Sequence, residues 1–168
     1  MNTRHALVDS PLGELTLVAD GDSLIGVYFH HHWYRPPIDT FGPRVDGDPL
    51  LARAGEQLDE FLAGDRSHFD LPTNAVGDVL HRRIWTRLTA IPFGETVTYG
   101  ELANELADGT TAQQVGAAVG HNPLSIVIPC HRVVGKDGKL TGYAGGLERK
   151  KFLLDLEEPA DIRAARLF

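Results

Sequence analysis

The only cysteine of this 168-residue chain, Cys130, is followed directly by a histidine, His131, and an arginine, Arg132. A single cysteine cannot form an intrachain disulfide or a multi-cysteine metal site. The thiol is therefore a buried filler, an inert surface group or a nucleophile, and free cysteines are commonly buried. A thiolate, rather than a thiol, attacks carbon, and a neighbouring base and cation favour the thiolate. The pattern favours a nucleophile.

The elements that must position this thiol differ between the two halves of the chain. Residues 5–8, 14–19 and 24–29 alternate like strands and are separated by turn residues, which predicts a three-stranded antiparallel meander. A loop-like stretch, 33–48, then leads into apolar residues that recur at helical spacing between 50 and 62. Residues 70–78 have the composition of a linker. The first half therefore predicts a small α/β scaffold.

From Val79 onward the apolar pattern is helical. A short helix at 99–107, a turn at Asp108-Gly109 and a second helix that ends near Gly120 have the spacing of a helix-turn-helix. We expect Thr110 to cap the second helix. An ordinary helical hairpin has the same spacing, so the pattern alone leaves both interpretations open.

Charge is distributed unevenly along a chain whose formal net charge is −7. Residues 1–79 hold 5 basic and 13 acidic side chains, residues 80–151 hold 9 and 6, and residues 152–168 hold 2 and 4. The basic excess lies in the segment with the reactive cysteine, which permits nucleic-acid binding there. The sequence shows no apolar run of membrane-spanning length and no export signal, so we expect a cytoplasmic protein without a membrane partner.

Four ordered blocks of sequence surround the cysteine. They are the segment Pro129-Cys130-His131-Arg132-Val133, the upstream segments 91–103 and 115–123, and the downstream segment 142–147. In order and spacing, these blocks resemble the O6-alkylguanine-DNA alkyltransferase family across roughly residues 79–157. The first half resembles the family weakly, chiefly through residues 9–13.

The resemblance implies a two-domain α+β protein. A small N-terminal α/β domain of ribonuclease H-like type with an antiparallel sheet, residues 1–76, is followed by a mainly helical domain, residues 77–168, with a (winged) helix-turn-helix and the reactive cysteine. The implied function is DNA repair by direct damage reversal. The alkyl group of O6-alkylguanine, and also of O4-alkylthymine, is transferred irreversibly to Cys130 in a single turnover. The implied partner is double-stranded DNA, bound by a monomer with cooperative assembly left open, and no cofactor is implied.

The family pattern also implies roles for individual residues. Cys130 is the nucleophile, His131 acts on it through a bridging water, and Glu157 orients the histidine in the manner of a hydrolase triad. Asn122 braces the reactive loop. A solvated helix-end carboxylate for Glu157 and a plain turn residue for Asn122 are the competing interpretations.

A second set of residues matches positions that hold the extruded base and the DNA. Tyr99 enters the base stack and bonds the guanine, Tyr143 and Ala144 line the base pocket, and the carbonyl groups of Cys130 and Val133 accept from the guanine amino group. Ala144 replaces a hydroxyl residue common in the family. The remaining expected DNA contacts are Gly100, Gln113, Gly116, Arg132 and Lys136. For Lys136, a solvated surface side chain is the competing interpretation.

Two positions depart from the family pattern. Gln113 stands where an arginine usually fills the gap left by the flipped base, which puts the efficiency of base extrusion in question. The first half lacks the cysteines that hold a structural zinc in some relatives, and Asp20 stands at one such position. The run His30-His31-His32 would alternate faces on a strand, so we expect no metal site.

Three rival functions compete with this interpretation. An alkyltransferase-like binding protein would lack the reactive cysteine, so the presence of Cys130 argues against it. A regulator would need a further cysteine-bearing domain, for which we expect no room in this chain. The third rival keeps the thiol chemistry but applies it to another alkylated substrate, for which Gln113 is the only indication.

Overall fold

The structure, a computed structural model, describes residues 2–159. Its first half is a three-stranded antiparallel sheet of β1 (Thr3–Val8), β2 (Leu15–Asp20) and β3 (Ser23–Phe29), paired in that order. The expected meander is confirmed, and the first strand begins two residues earlier than predicted. Gly13 closes the first turn with a φ of 95°, a left-handed conformation that suits glycine.

Helix α1 (Pro49–Leu62) packs on this sheet. Asp48 caps its first turn by accepting a hydrogen bond from the Leu51 backbone N–H at 3.0 Å, and Pro49 occupies the first helical position. The buried face of the helix contains Leu51, Leu58 and Phe61. The apolar spacing that predicted this helix is therefore the stripe that it buries.

Both edges of the sheet are covered by segments from elsewhere in the chain. His5 on β1 exchanges backbone hydrogen bonds with the segment 43–45. On β3, Leu24 pairs with residues 72–74, so the expected linker is partly held against the sheet. Val27 donates its backbone N–H to the Pro123 carbonyl at 2.8 Å and accepts from the Ser125 N–H at 3.3 Å. The edge of β3 thus holds the segment that leads to Cys130.

The second half is mainly helical, as predicted. Helices α2 (Val79–Leu88), α3 (Tyr99–Leu106) and α4 (Ala112–Gly120) pack together, and α5 (Leu147–Glu157) lies beside the reactive cysteine. Two very short strands, β4 (Val97–Thr98) and β5 (Val133–Val134), pair in parallel.

Thr111, not Thr110, caps α4, so the predicted cap is wrong by one residue. The Thr111 hydroxyl accepts from the Gln114 N–H, and the Gln114 side chain accepts from the Thr111 N–H, which completes a capping box. Thr110 instead donates its hydroxyl and its backbone N–H to Asp108 in the preceding turn.

One continuous apolar core runs from the sheet through α1 and α2 to the reactive loop and α5. The predicted α+β fold class, an antiparallel-sheet domain followed by a helical domain, is confirmed. Residues 160–168 of the predicted second domain lie outside the described residues. Within residues 2–159, no helix has the length and apolarity to cross a membrane.

Candidate active site

The reactive loop, residues 122–133, leads from the end of α4 to β5 and carries Cys130 in a short 3-10 turn, Cys130–Arg132. Asn122 holds its first part together: the side-chain NH₂ donates to the Ile128 carbonyl at 2.9 Å, and the side-chain oxygen accepts from the Leu124 N–H at 3.0 Å. Asn122 is itself buried. Its amide therefore does more than close a turn, because it fixes both ends of the segment that precedes the cysteine.

Glu157, at the last turn of α5, reaches into the reactive loop. Its carboxylate lies 2.7 Å from Nε2 of His131 and accepts two hydrogen bonds from Arg132, through Nε and Nη2 at 2.8 Å each. All three side chains are buried. Burial alone would raise the pKa of Glu157, but the contacts with His131 and Arg132 outweigh it and lower that pKa. Glu157 is therefore a buried, paired carboxylate and not a solvated charge.

His131 is held as a neutral ring. Burial lowers its pKa, and the attraction of Glu157 does not reverse this effect because Arg132 already balances the carboxylate. An anionic Glu157 requires the proton on Nε2, which leaves Nδ1 as the acceptor. Nδ1 is buried and has no hydrogen-bond partner among the described residues. The ring is thus oriented by one nitrogen and has the other available as a base.

The Cys130 thiol is 1% exposed, and burial raises its pKa above the ordinary value. Interactions with Asn122, Lys150 and Tyr143 act in the opposite direction but only partly offset burial. The resting group is consequently a neutral thiol, which needs a base before it can attack carbon.

The pocket lip, residues 141–146, lies next to the thiol and carries Tyr143 and Ala144, both buried. The Tyr143 hydroxyl neighbours Cys130 but forms no hydrogen bond of ordinary geometry with another described residue. The Tyr143 ring meets Phe29 of β3 edge-on, with the ring centroids 5.9 Å apart. The first half of the chain therefore supports the wall of the expected base pocket.

Tyr99 begins α3 and lies between the pocket lip and the second helix of the helix-turn-helix. Its hydroxyl is 3.5 Å from the Gly142 carbonyl, a long hydrogen bond. A Cβ at Gly116 on α4 would sit 3.9 Å from the Tyr99 ring, so these two residues are neighbours. Gly100, the next residue of α3, is exposed.

Gln113 and Lys136 lie at the surface. Gln113 is the second residue of α4 and is exposed, which suits a contact with a bound molecule. Lys136 is also exposed, in the 3-10 turn Lys136–Gly138 that follows β5. Neither residue is brought into contact with Cys130 by any described interaction.

Arg132 does not fit the expected phosphate contact. Only 7% of the residue is exposed, and besides its two bonds to Glu157 it donates Nη1 to the Ile91 carbonyl at 2.6 Å. A guanidinium with three donors engaged inside the protein is unavailable to DNA in this conformation. The expectation is corrected: Arg132 anchors the reactive loop to Glu157 and to Ile91, in the segment that follows α2.

Comparisons with known proteins show the family to which the chain belongs. The profile described as 6-O-methylguanine DNA methyltransferase, ribonuclease-like domain, matches residues 3–75, and the profile of the DNA binding domain of the same family matches residues 79–159. The methylated-DNA–protein-cysteine methyltransferase of Mycobacterium bovis is 42% identical over 94% of this chain and 96% of its own. The chain belongs to the methylated-DNA–protein-cysteine methyltransferase family.

Other methyltransferases of the family extend the likeness. The protein from Mycolicibacterium paratuberculosis is 43% identical over 98% of both chains. The crystal structure of Mycobacterium tuberculosis OGT in complex with DNA superposes with a TM-score of 0.83, 39% identity, and coverage of 95% of this chain and 97% of that one. The methyltransferase of Pyrococcus kodakaraensis superposes with a TM-score of 0.66 and 25% identity, over 91% and 98% of the two chains.

Sequence reasoning missed two residues that shape the methyltransferase site, Phe29 and Lys150. Phe29 belongs to a strand whose pattern indicates only a core residue. Lys150 lies in a helix with four charges within its first five residues, where a lysine is normally solvated, yet it is fully buried. Its position within α5, seven residues before Glu157, was the available signal, because that spacing places both on one helix face.

Proposed function

We propose that this protein repairs DNA by transferring the alkyl group of O6-alkylguanine to Cys130, irreversibly and once per molecule. The observation that carries the proposal is the buried, hydrogen-bonded pair of Glu157 and His131 beside Cys130. In this pair the histidine is neutral, and its Nδ1 is free to accept a proton. The family membership and the likeness to a methyltransferase in complex with DNA support the same conclusion. The same chemistry would serve O4-alkylthymine.

The transfer begins with the removal of the thiol proton. His131 accepts it at Nδ1 through a bridging water, while Glu157 stabilises the ring that becomes cationic. The Cys130 sulfur then attacks the alkyl carbon, so that a C–S bond forms as the C–O6 bond breaks. The electron pair of the broken bond stays with guanine. The proton taken from the thiol then passes from His131 to guanine. The products are a thioether on Cys130 and an unmodified guanine, and no cofactor takes part.

The target base must leave the duplex to reach a thiol that is 1% exposed. Tyr99 would enter the vacated stack and hydrogen-bond the base, since its hydroxyl lies at the pocket lip, 3.5 Å from the Gly142 carbonyl. Tyr143 and Ala144 on the pocket lip would line the base pocket, and the carbonyls of Cys130 and Val133 would accept from the guanine amino group.

The DNA would lie across the helix-turn-helix, where Gly100, Gln113 and Gly116 are placed on α3 and α4. Lys136 would add a phosphate contact from the exposed turn after β5. We also propose that residues 1–76 form the supporting domain and residues 77–168 the reactive one. We further propose that the protein acts as a monomer, since every group assigned to the reaction lies on a single chain.

Intact-mass measurement tests the proposal. Excess duplex containing O6-methylguanine should add one methyl group per chain, and peptide mapping should place it on Cys130. Cys130→Ser is the matched control: it should bind the duplex but take up no methyl group, because a hydroxyl is a far poorer nucleophile at neutral pH. Repeated turnover, a label on another residue, or an unmodified wild-type protein would reject the proposal.

A further inference from the structure

Two large aromatic side chains lie at the surface just after β3, in a short segment that we call the strap, residues 32–35. Trp33 is 55% exposed and Tyr34 is 63% exposed, so burial in the core does not explain either position. Tyr34 also has a φ of 58°, a left-handed conformation that is strained for a residue with a side chain. The contacts of the two rings therefore call for a different explanation.

The strap is joined to the pocket lip. The Trp33 backbone N–H donates to the Ala144 carbonyl at 3.0 Å. A Cβ at Gly142 would lie 3.3 Å from the Trp33 ring, so the ring rests against the backbone of the lip. The Tyr99 hydroxyl approaches the carbonyl of the same residue, Gly142, at 3.5 Å. The lip is thus contacted by two aromatic side chains from distant parts of the chain.

The strap and Tyr99 also both touch α4. The Tyr34 ring stacks on His121, the residue that follows α4, with the ring centroids 3.8 Å apart and the planes at 19°. A Cβ at Gly120 would lie 3.5 Å from the Tyr34 ring. Tyr99 lies against Gly116, at 3.9 Å by the same measure, and Gly116 shares a helix face with Gly120 because four residues separate them. The helix and the lip are therefore bridged twice, by Tyr99 and by the strap.

The strap is itself fixed to the first sheet. Nδ1 of His32 accepts from the Phe29 backbone N–H at 3.2 Å, and the His32 ring stacks on the Phe29 ring with the centroids 5.7 Å apart. Phe29 in turn meets Tyr143 of the pocket lip edge-on. A segment anchored in this way can hold the lip and the end of α4 at a fixed separation.

We infer that Trp33 and Tyr34 are positioning residues of the base pocket: they tie the pocket lip to the end of α4 and hold the entrance at the width that a guanine needs. This inference rests on the proposed function, which assigns Tyr99 to that entrance. The strap lies about one helical turn further along α4, roughly 5.4 Å away. The two residues act through the lip and the helix rather than on the reacting atoms.

The expected effect is on binding of the base and not on the chemical step. A lip released from the strap would be in the receptive position for only part of the time, and the apparent affinity for the base falls by that fraction. Once the base is bound, the transfer depends on Cys130 and His131, which the strap does not touch in any described interaction. Half-saturation and limiting rate should therefore respond differently.

The first test compares Trp33→Ala with Ile38→Ala, a substitution at an exposed residue just beyond the strap. The rate of Cys130 alkylation by free O6-benzylguanine is measured against base concentration, per active molecule. Trp33→Ala should raise the half-saturating concentration about fivefold and change the limiting rate by less than about twofold. Ile38→Ala should match the wild type. Trp33→Phe keeps an aromatic ring against the lip and should recover most of the lost affinity.

Tyr34→Gly releases the other end of the strap without adding strain, because glycine readily adopts a φ of 58°. It should raise the half-saturating concentration as Trp33→Ala does, whereas Tyr34→Phe should not, since the stack on His121 needs the ring and not the hydroxyl. A bridge is lost when either end is released, so the losses of Trp33→Ala and Tyr34→Gly should not add in the double variant. Fully additive losses would overturn the bridge.

Hydrogen exchange covers the case in which the strap variants fail to fold or the free base does not react. If the strap favours base binding, a bound base must favour the engaged strap by the same factor. Binding of O6-methylguanine duplex to Cys130→Ser, which cannot accept the methyl group, should therefore slow exchange of the Trp33 amide. The His5 amide, which donates to the Pro43 carbonyl at the same 3.0 Å on the far edge of the sheet, should not change. An unchanged Trp33 amide would overturn the inference.

Two other roles for the strap give different results. If its aromatic residues bound DNA instead, Trp33→Ala would weaken duplex binding and leave saturation by the free base unchanged. A purely structural strap would lower the free energy of unfolding and the active fraction, again with unchanged saturation of the active molecules. Either result overturns the inference. If the wild-type protein is alkylated by neither base nor duplex, the proposed function fails; if it is alkylated and Trp33→Ala equals Ile38→Ala, only this inference fails.

Discussion

Arg132 and Glu157 form a buried two-point ion pair, with both N···O distances at 2.8 Å, and the same carboxylate contacts His131. The pair leaves the carboxylate charged but balanced, so the histidine next to it stays neutral. The Glu157 carboxylate consequently anchors the reactive loop to α5 and also orients His131.

Replacing Arg132 by methionine should destabilise the protein by about 3–5 kcal/mol, because Glu157 would be left as an uncompensated buried charge. Chemical denaturation measures the free energy of unfolding. Arg87→Met is the matched control, since Arg87 makes the same two-point contact to Glu105 at the surface, where such a pair is worth about 1 kcal/mol or less. Equal losses in the two variants would contradict the structural importance of the buried pair.

His131 and Glu157 should act as one unit in the transfer. The rate losses of His131→Ala and Glu157→Gln should therefore not add in the double variant, because once the ring is gone the carboxylate has nothing to orient. Single-turnover alkylation of Cys130 in a duplex gives the three rates. Glutamine keeps the size of the side chain, which limits the loss of folding. Fully additive losses would show that the two residues act separately.

Stability should fall as the solution becomes acidic, beginning below about pH 6.5. Burial lowers the pKa of His131, and it lowers that of His32 to about 4. The unfolded chain therefore takes up these protons at a higher pH than the folded chain, and stability is lost as the pH falls. The lowered pKa of Glu157 adds a further loss in the same direction, below about pH 4.3.

The variants His131→Asn and His32→Asn separate these contributions. Each should remove part of the loss between pH 6.5 and 4 when the free energy of unfolding is followed against pH. His68→Asn supplies the control, because it makes the same substitution at an exposed histidine. If neither His131→Asn nor His32→Asn changes the loss of unfolding free energy at acid pH, the two histidines are not neutral in the folded protein.

Gln113→Arg should speed repair of duplex DNA. Unstacking a base costs a few kcal/mol, and a guanidinium that stacks on neighbouring bases and bonds the orphaned partner would offset part of that cost. The variant should bind duplex more tightly, with a salt dependence steeper by up to about one phosphate equivalent. Alkylation by a free O6-alkylguanine base should hardly change, because no stack needs opening.

Asn104→Arg controls for the added charge, since Asn104 is an exposed amide on the preceding helix, α3. It should raise duplex binding less and leave the rate of transfer unchanged. If Gln113→Arg leaves duplex repair unchanged or slows it, Gln113 is a working part of a different arrangement on DNA.

Periodicity and turn chemistry predicted most of the fold. The three strands, α1 and the helical second half follow from local apolar patterns that the structure buries as expected. The cap of α4 was missed by one residue because Thr110 and Thr111 are equally good caps in sequence. Each also has a glutamine three residues later, Gln113 or Gln114, so the capping box could form in either register. In the structure Thr110 donates to Asp108 of the preceding turn, and Thr111 is the cap.

The site was only partly predictable, because burial of charge depends on long-range packing. Arg132 looked like a surface cation from its type, and only the approach of α5 shows that its partner is Glu157, 25 positions away. Lys150 was missed for the same reason, since its carbonyl partners lie in segments that local pattern cannot bring together.

The hydrogen bonds between Val27 and the segment 123–125 have a consequence for synthesis. The strand β3 is complete on the ribosome about a hundred residues before the segment that covers its edge has been made. Until then the part of β3 around Val27 presents an open edge, even after residues 72–74 have paired with Leu24, and an open edge is the feature through which chains pair with one another. The last part of that edge closes only when the segment leading to Cys130 emerges, so protection from aggregation and assembly of the reactive loop are the same late event.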